Sequence, residues 1–201
     1  MFFIYSNLGL FMDHEFDEKN PKMAVEFSNS NREKMIRLFP SSLSKKEEGL
    51  YLRITKSKTN YLNKLSSLFS EMNEIYAYVD KFTPCKKGCS HCCHIPVSVS
   101  ELEAEYIEKS LKIKRKAFSA YDITQNKPCP FLKDNGCSIY NVRPFVCRRH
   151  VVLTKTSYWC ELERCNQETM PLLNFTETQK SFEHLIYESG KNIFFDIREI
   201  F

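Results

Sequence analysis

The cysteines are the feature that most constrains this chain. All nine lie between Cys85 and Cys165, and the first 84 residues and the last 36 contain none. An odd count argues against a framework made of disulfides alone, which pairs an even number of cysteines in a short secreted chain. The chain has 201 residues, enough to bury an apolar core without such staples. The sequence therefore predicts a local thiol chemistry in a protein that also has a conventional core.

The cysteines form two clusters whose spacing is typical of metal ligands. Their order is Cys85-x3-Cys89-x2-Cys92-Cys93, then Cys129-x7-Cys137-x9-Cys147-x12-Cys160, and then Cys165. Thiolates that lie two to four residues apart on a turn can converge on one metal ion. We expect Gly88 and Gly136 to supply backbone freedom for two such turns, since each directly precedes a cysteine. Lys86 and Lys87 would offset part of the thiolate charge.

Three interpretations of the thiols compete. Buried, unreactive thiols are usual for a single cysteine, but nine in one segment make that a poor account. Disulfides are disfavoured by the odd count and by the lack of an export signal. Metal ligation accounts best for the spacing, which allows two tetrahedral zinc ions or one iron–sulfur cluster with spare cysteines, although the C-x2-C-x2-C run of ferredoxins is absent.

The adjacent pair Cys92-Cys93 carries geometric information. Neighbouring side chains of an extended segment point to opposite faces, so one metal ion would rarely bind both. If the segment is extended, the pair predicts either two sites that share it or one ligand beside a packing thiol.

Other side chains near the cysteines are candidates for supporting roles. Three histidines are possible further ligands, although histidines beside cysteine ligands are as often neighbours of the site: His91, His94 and His150. Three arginines are expected to offset thiolate charge, with binding of an anionic substrate as the alternative: Arg143, Arg148 and Arg149. We expect Tyr158 and Trp159 to shield the site.

Apolar periodicity predicts a mainly helical protein. Apolar residues recur every third or fourth position over Thr59–Phe82, which indicates a long amphipathic helix that ends near Pro84. Serines with a glutamate three residues later predict a second helix over Glu101–Lys116. Shorter helices are expected after capping serines at Asn31–Phe39 and Ser44–Ile54, and a C-terminal helix should run from a Thr176 cap to a stop at Gly190.

The remaining segments predict little regular structure. Asp134-Asn135-Gly136 predicts a tight turn and a hairpin over Phe131–Tyr140, Ile95–Val99 is expected to be extended, and Asn192–Phe201 is apolar enough to pack. We expect a mainly α fold, a small helical domain with an irregular, metal-stapled cysteine-rich core and one short β-hairpin. The predicted organisation is an N-terminal arm at 1–57 with short helices, a cysteine-cluster domain at 58–165 and a C-terminal helix at 166–201.

Charge and hydropathy narrow the function classes. The start of the chain, MFFIYSNLGLFM, is apolar, but it lacks a basic region and leads into acidic residues, so we do not interpret it as an export signal. No apolar stretch reaches the length of a membrane span. We therefore expect a cytoplasmic protein with reduced thiols. A net charge of +4 is too small to argue for nucleic acid as a partner.

Five signatures within Cys85–Cys160 carry a family resemblance. They are the first cysteine cluster, Cys129-Pro130-Phe131-Leu132, Gly136-Cys137-Ser138-Ile139-Tyr140, Arg143-Pro144 and Cys147-Arg148. In this order and spacing the segment resembles the zinc- or iron-chelating cysteine-cluster proteins (CxxCxxCC, YkgJ type). The resemblance implies a metal centre held by eight cysteines: Cys85, Cys89, Cys92, Cys93, Cys129, Cys137, Cys147 and Cys160. It gives Cys165 no role.

The resulting prediction is a metal-binding protein with a multi-cysteine zinc or iron centre, and an iron–sulfur cluster is one form it could take. Three roles remain open: an Fe–S oxidoreductase or redox sensor, a structural zinc module for protein interaction, or metal-dependent group transfer such as protein lysine methylation. The last has a precedent in a distant likeness to the cysteine-rich flagellin lysine methylases. The sequence does not decide whether the chain is an enzyme, and its partner would be an unidentified protein or small molecule.

Overall fold

The computed structural model describes residues 16–117 and 127–201, so the apolar start of the chain lies outside the described residues. Within these ranges the fold is mainly helical, as expected. Its helices are α1 (Pro21–Arg37), α2 (Ser41–Glu48), α3 (Leu50–Lys56), α4 (Tyr61–Val79), α5 (Glu101–Leu111), α6 (Phe145–Arg149), α7 (Thr176–Ser189) and α8 (Ile197–Ile200). Among the described residues no helix is both long and apolar enough to span a membrane.

Two small antiparallel sheets complete the described structure. Strand β1 (Ser98–Ser100) pairs with β4 (Phe194–Asp196), so that the C-terminal segment lies beside the start of α5. Strands β2 (Leu132–Lys133) and β3 (Gly136–Cys137) form the predicted hairpin. Its turn differs from the prediction in one respect, because Asp134 and Asn135 have positive φ angles of 48° and 57°, while Gly136 does not. A primed turn requires left-handed backbone at both central positions, which Asp and Asn tolerate better than most residues.

The main core is built around α4, which confirms the helix predicted from the apolar periodicity. Asn60 caps its first turn, since its side chain accepts the N–H of Asn63 at 2.9 Å. The apolar face of α4 is almost fully buried and packs against α3, α5 and α7: Leu65, Leu68, Phe69, Met72, Ile75, Tyr76 and Val79. The helix ends at Val79, a few residues before Pro84.

The predictions for the N-terminal helices were wrong in their bounds. Helix α1 begins ten residues earlier than expected, at Pro21, because Asn20 accepts the N–H groups of Lys22 and Met23 and proline is favoured in a first turn. The single helix expected over Ser44–Ile54 is divided at Gly49 into α2 and α3.

The caps of α5 and α7 show how local and distant partners differ. The Ser100–Glu103 capping box forms as predicted, but α5 ends at Leu111 because Lys112 adopts a left-handed conformation with φ 56°. Thr176 does not cap α7. The carboxylate of Glu47 in α2 instead accepts the N–H groups of Glu177 and Thr178 at 2.7 and 3.1 Å. Gly190 ends α7 with φ 68°, as predicted.

A second, smaller core lies beside the cysteines. It joins β1, α5 and α8 through buried side chains such as Val99, Ile107 and Ile197, which confirms that the C-terminal segment packs. Cys129, Cys137 and Cys147 pack against this smaller core, whereas Cys85 packs against the main core. The cysteines therefore lie where the two cores meet.

Candidate metal centre

All nine cysteines line one cavity of about 890 Å³. Each is a free thiol and each is only half-buried. The cysteines belong to segments that are distant in the sequence, so the fold brings together the two clusters that the spacing had kept apart. This convergence is the central observation about the site.

The loop after α4 positions the first cysteines. The N–H of Cys85 donates to Thr83 Oγ1 at 3.0 Å, and that hydroxyl donates to the carbonyl of Val152 at 2.6 Å. The next turn closes when the N–H of Cys89 donates to the carbonyl of Lys86 at 2.9 Å. Gly88 has φ 100° in this turn, which confirms the predicted need for glycine there.

The adjacent pair lies in a 3₁₀ turn over His91–His94, not in an extended segment. The expectation that Cys92 and Cys93 point to opposite faces was therefore wrong. Both thiols line the cavity, and they hydrogen-bond to each other. A tight turn can aim neighbouring side chains into one space because it rotates each residue by about a third of a turn.

The hairpin and α6 supply the later cysteines. The N–H of Cys129 donates to the carbonyl of Cys93 at 2.7 Å, and this bond ties the segment before β2 to the first cysteine cluster. Cys137 belongs to β3, and Cys147 lies on α6. Cys160 ends a 3₁₀ turn, which is closed by the hydrogen bond that its N–H donates to the carbonyl of Ser157 at 2.8 Å.

Electrostatic interaction divides eight of the thiols into two groups that meet at Cys92. The first thiol group is Cys85, Cys89 and Cys160. The second thiol group is Cys93, Cys129, Cys137 and Cys147. Cys92 interacts with members of both groups and is the thiol between them. Three thiols, four thiols and one shared neighbour make a set of eight.

Two of the eight thiols ionise easily, Cys85 of the first group and the shared Cys92. The thiol of Cys160 donates a hydrogen bond to Cys85 and lowers the pKa of Cys85 to about 6. The thiol of Cys93 donates to Cys92 and lowers the pKa of Cys92 to about 7. The same bonds raise the pKa values of the donors Cys160 and Cys93, because a donor loses the bond when it ionises.

Burial raises the pKa values of the other thiols, and backbone N–H groups partly oppose that effect. The N–H of the residue two positions later donates to sulfur in three cases: His91 to Cys89, Phe131 to Cys129 and Ile139 to Cys137. Such bonds stabilise a thiolate, which is the form of cysteine that binds metal, and they offset part of the effect of burial.

Arginine supplies positive charge near the thiols, as predicted. The charge of Arg143 adds to the bond from Cys93 in lowering the pKa of Cys92, and its guanidinium stacks at 3.6 Å over the ring of Tyr140. Burial raises the pKa of Cys137, and the charges of Arg143 and Arg148 oppose that rise. Lys86 lines the cavity, and Lys87 is exposed outside it.

Arg148 is part of the scaffold. Only 1% of its surface is exposed, and its guanidinium donates to Asn73 Oδ1 and to the carbonyls of Asn141 and Arg143 at 2.6 to 2.9 Å. Burial lowers its pKa to about 10, so it remains charged at neutral pH. Arg149 instead donates to Gln179 of α7 at 2.6 Å and faces away from the thiol cavity.

The remaining candidates also border the cavity. His91, His94 and His150 all line it, and burial lowers the pKa of His150, which favours the neutral imidazole that could bind metal. Trp159 is buried beside Cys160, as expected for a shielding residue. Cys165 lines the cavity too, but its thiol only reaches the carbonyl of Leu162, at 3.5 Å.

The thiols are close, but they are not in metal-binding geometry. Across residues 16–117 and 127–201, no three His, Cys, Asp or Glu side chains stand at the positions that hold a metal ion. Thiols that hydrogen-bond to one another can turn toward a common ion by changes of side-chain rotamer. The donor set fits zinc or iron, since both accept four sulfur ligands.

Two supporting residues have no signal in the sequence. Glu103 was predicted only as part of a capping box, yet its carboxylate also accepts the N–H of Phe145 at 2.7 Å and so ties α5 to the helix of Cys147. Asn73 of α4, which no sequence pattern singles out, accepts a hydrogen bond from Arg148 at 2.6 Å. Such roles depend on contacts between distant segments, which no local pattern records.

Comparison with known proteins agrees with this geometry. Residues 84–169 match the family CxxCxxCC, described as "Putative zinc- or iron-chelating domain". The matched segment contains all nine cysteines. No curated protein and no solved structure matches the chain.

Proposed function

Because residues 84–169 match the zinc- or iron-chelating CxxCxxCC family, we propose that the chain binds two metal ions, zinc or iron, through eight cysteines. One ion is held by the first thiol group with Cys92, and the other by the second thiol group. The observation that carries the proposal is the convergence of the cysteines on one cavity, in two groups that share Cys92 as a neighbour.

The count of donors supports two four-sulfur centres. Zinc in a structural site takes four ligands at about 2.3 Å from sulfur, and iron accepts the same tetrahedral set. Cys92 completes the first group to four, and the second group has four members without it. Cys165 is left out because its thiol has no partner of this kind among the described residues.

The surroundings offset part of the penalty that burial puts on thiolates. Eight thiolates and two divalent ions leave a negative centre, and the charges of Arg143 and Arg148 oppose the burial that raises the pKa of Cys137. Backbone N–H groups that donate to Cys89, Cys129 and Cys137 act in the same direction. Ligand orientation by such outer bonds is typical of metal centres. We place the protein in the cytoplasm, where these thiols stay reduced.

Metal analysis of protein purified without oxygen tests the proposal. We expect about two equivalents of zinc or iron per chain and no acid-labile sulfide. Iron with stoichiometric sulfide and broad visible absorption would show that the centre is an iron–sulfur cluster and not two separate ions. Folded protein that takes up neither metal would contradict the proposal altogether.

A further inference from the structure

The N-terminal arm, described here from residue 16 to residue 57, lies outside the segment that matches the metal-binding family. It contains no cysteine. Its side chains and backbone nevertheless contact the two segments that carry Cys85 and Cys160 of the first thiol group. Two separate anchors make this contact.

Asn31 is the first anchor. Its half-buried amide group donates to the carbonyl of Phe82 at 2.6 Å and to the carbonyl of Leu153 at 2.9 Å. Phe82 lies at the entrance of the loop that carries Cys85, and Leu153 follows the residue whose N–H donates to the sulfur of Cys85. One amide thus ties together the two backbone segments between which Cys85 is held.

Trp159 is the second anchor. Its indole N–H donates to the carbonyl of Glu18, just before α1, at 2.8 Å, and 8% of the residue is exposed. Lys155 lies over the ring of Phe16 at 4.8 Å, which adds a further contact between the arm and the same segment. Cys160 directly follows this tryptophan, so the arm also fixes the second member of the thiol pair.

We propose that the N-terminal arm is a part of the metal centre, and that Asn31 is a positioning residue for Cys85 and Cys160. This inference rests on the proposed function. The two thiols come from segments on opposite sides of the matched domain, and a shared ion requires their sulfur atoms to keep a fixed separation. The arm supplies that constraint to the first thiol group alone, since none of its bonds given above reaches the second.

A cobalt titration of the metal-free full chain tests the inference. Cobalt(II) replaces zinc in thiolate sites and gives visible absorption, and it quenches the single tryptophan, Trp159, when it binds nearby. Asn31→Leu keeps the side-chain volume and removes both donors. We expect one of two cobalt equivalents to bind about 10- to 100-fold more weakly, as is typical when an outer-shell partner is lost. The fluorescence of Trp159 should be quenched only over the cobalt concentrations at which that weakened equivalent binds.

Asn20→Ala is the matched control. It removes the cap of α1, and so destabilises the same helix, but it leaves the Asn31 bonds in place. Both equivalents should bind to this variant as they do to the unaltered protein. The same selective loss in Asn20→Ala would overturn the specific role of Asn31, and so would unchanged or equally weakened binding of both equivalents in Asn31→Leu.

A second variant keeps the test decisive if Asn31→Leu does not fold. Trp159→Phe keeps an aromatic ring and removes the bond to Glu18, and it should weaken the same cobalt equivalent, measured by absorption. Binding like that of the unaltered chain would overturn the inference. If the unaltered chain binds no cobalt, the proposed function itself fails.

Discussion

The main helical core and the cysteine segment are held together in different ways. In the core, α4 buries seven residues over five turns against α3 and α7. In residues 84–169, the regular elements other than α5 are at most five residues long, and none of the nine cysteines is fully buried. Apolar burial stabilises the core, and we expect the cysteine segment to depend in addition on what its thiols bind.

The junction between the two regions is polar. Arg148 reaches from α6 to Asn73 on α4 and stacks at 4.2 Å over Phe69, while Glu103 holds the first N–H of α6. These bonds fix the helix of Cys147 on α4 and α5. The comparison predicts that the core can fold first and that metal then completes the cysteine segment.

Metal removal should have the largest effect and should separate the two regions. Chelation is expected to remove about 10 kcal/mol of binding free energy and to unfold the segment from Cys85 to Cys165. Amide hydrogen exchange should rise there by orders of magnitude, while α4 and α7 stay protected. Unchanged exchange around the cysteines, or equal loss in both regions, would show that the division is wrong.

Acidification should release the metal. The pKa values of most thiols are raised in the metal-free fold, so at pH 8 binding of two ions should release about six protons, since Cys85 and Cys92 are already ionised. Metal and protons compete for the same sulfur atoms. The affinity for metal is therefore highest at high pH, where the thiols are deprotonated, and it is lost as the pH falls. Six protons correspond to about 8 kcal/mol per pH unit over both sites. Calorimetry in buffers of different ionisation enthalpy measures this number, and release of fewer than two protons would contradict it.

Leu185→Ala tests whether the main core can lose stability while the cysteine segment keeps its metal. Leu185 of α7 is fully buried in the main core, so its truncation should cost about 2–5 kcal/mol of stability in denaturant unfolding. Metal content at low denaturant should stay unchanged. Leu162→Ala is a suitable control because 54% of that residue is exposed, and its cost should be below about 0.5 kcal/mol. A loss of metal with Leu185→Ala would show that the core and the cysteine segment unfold as one cooperative unit.

Glu47→Ala should have the smallest effect. It removes the carboxylate that caps α7, which should cost about 1 kcal/mol in thermal or denaturant unfolding. Glu188→Ala, at an exposed position near the other end of α7, serves as the control. Equal stability of the two variants would mean that the cap from α2 contributes nothing.

The sequence predicts the parts of this fold that depend on neighbours in the chain. The α4 stripe, the Ser100–Glu103 box and the Asp134-Asn135 turn are local, and all three were found. The cap of α7 by Glu47 and the binding of Arg148 by Asn73 were missed, because their partners are distant in sequence. The extended geometry expected at Cys92 was wrong because the N–H of Cys93 donates to the carbonyl of Ser90 at 2.9 Å and closes a 3₁₀ turn, and the carbonyl of Cys93 also accepts the N–H of the distant Cys129.

For the candidate site, the sequence predicted the ligand types but not their grouping. Spacing alone suggested a four-cysteine first cluster, yet beyond its neighbour Cys92 the thiol of Cys93 interacts with the later cysteines Cys129 and Cys137. Cys160, the last member of the predicted set, instead joins Cys85. Only the folded chain reveals which thiols are neighbours.

Alkylation of the native protein followed by mass spectrometry tests the central claim most directly. With metal bound, we expect a thiol reagent to modify Cys165 alone, and after chelation it should modify all nine cysteines. Protection of eight thiols in the presence of metal would agree with two four-sulfur centres. Equal modification of Cys85 or Cys147 with and without metal would contradict the account.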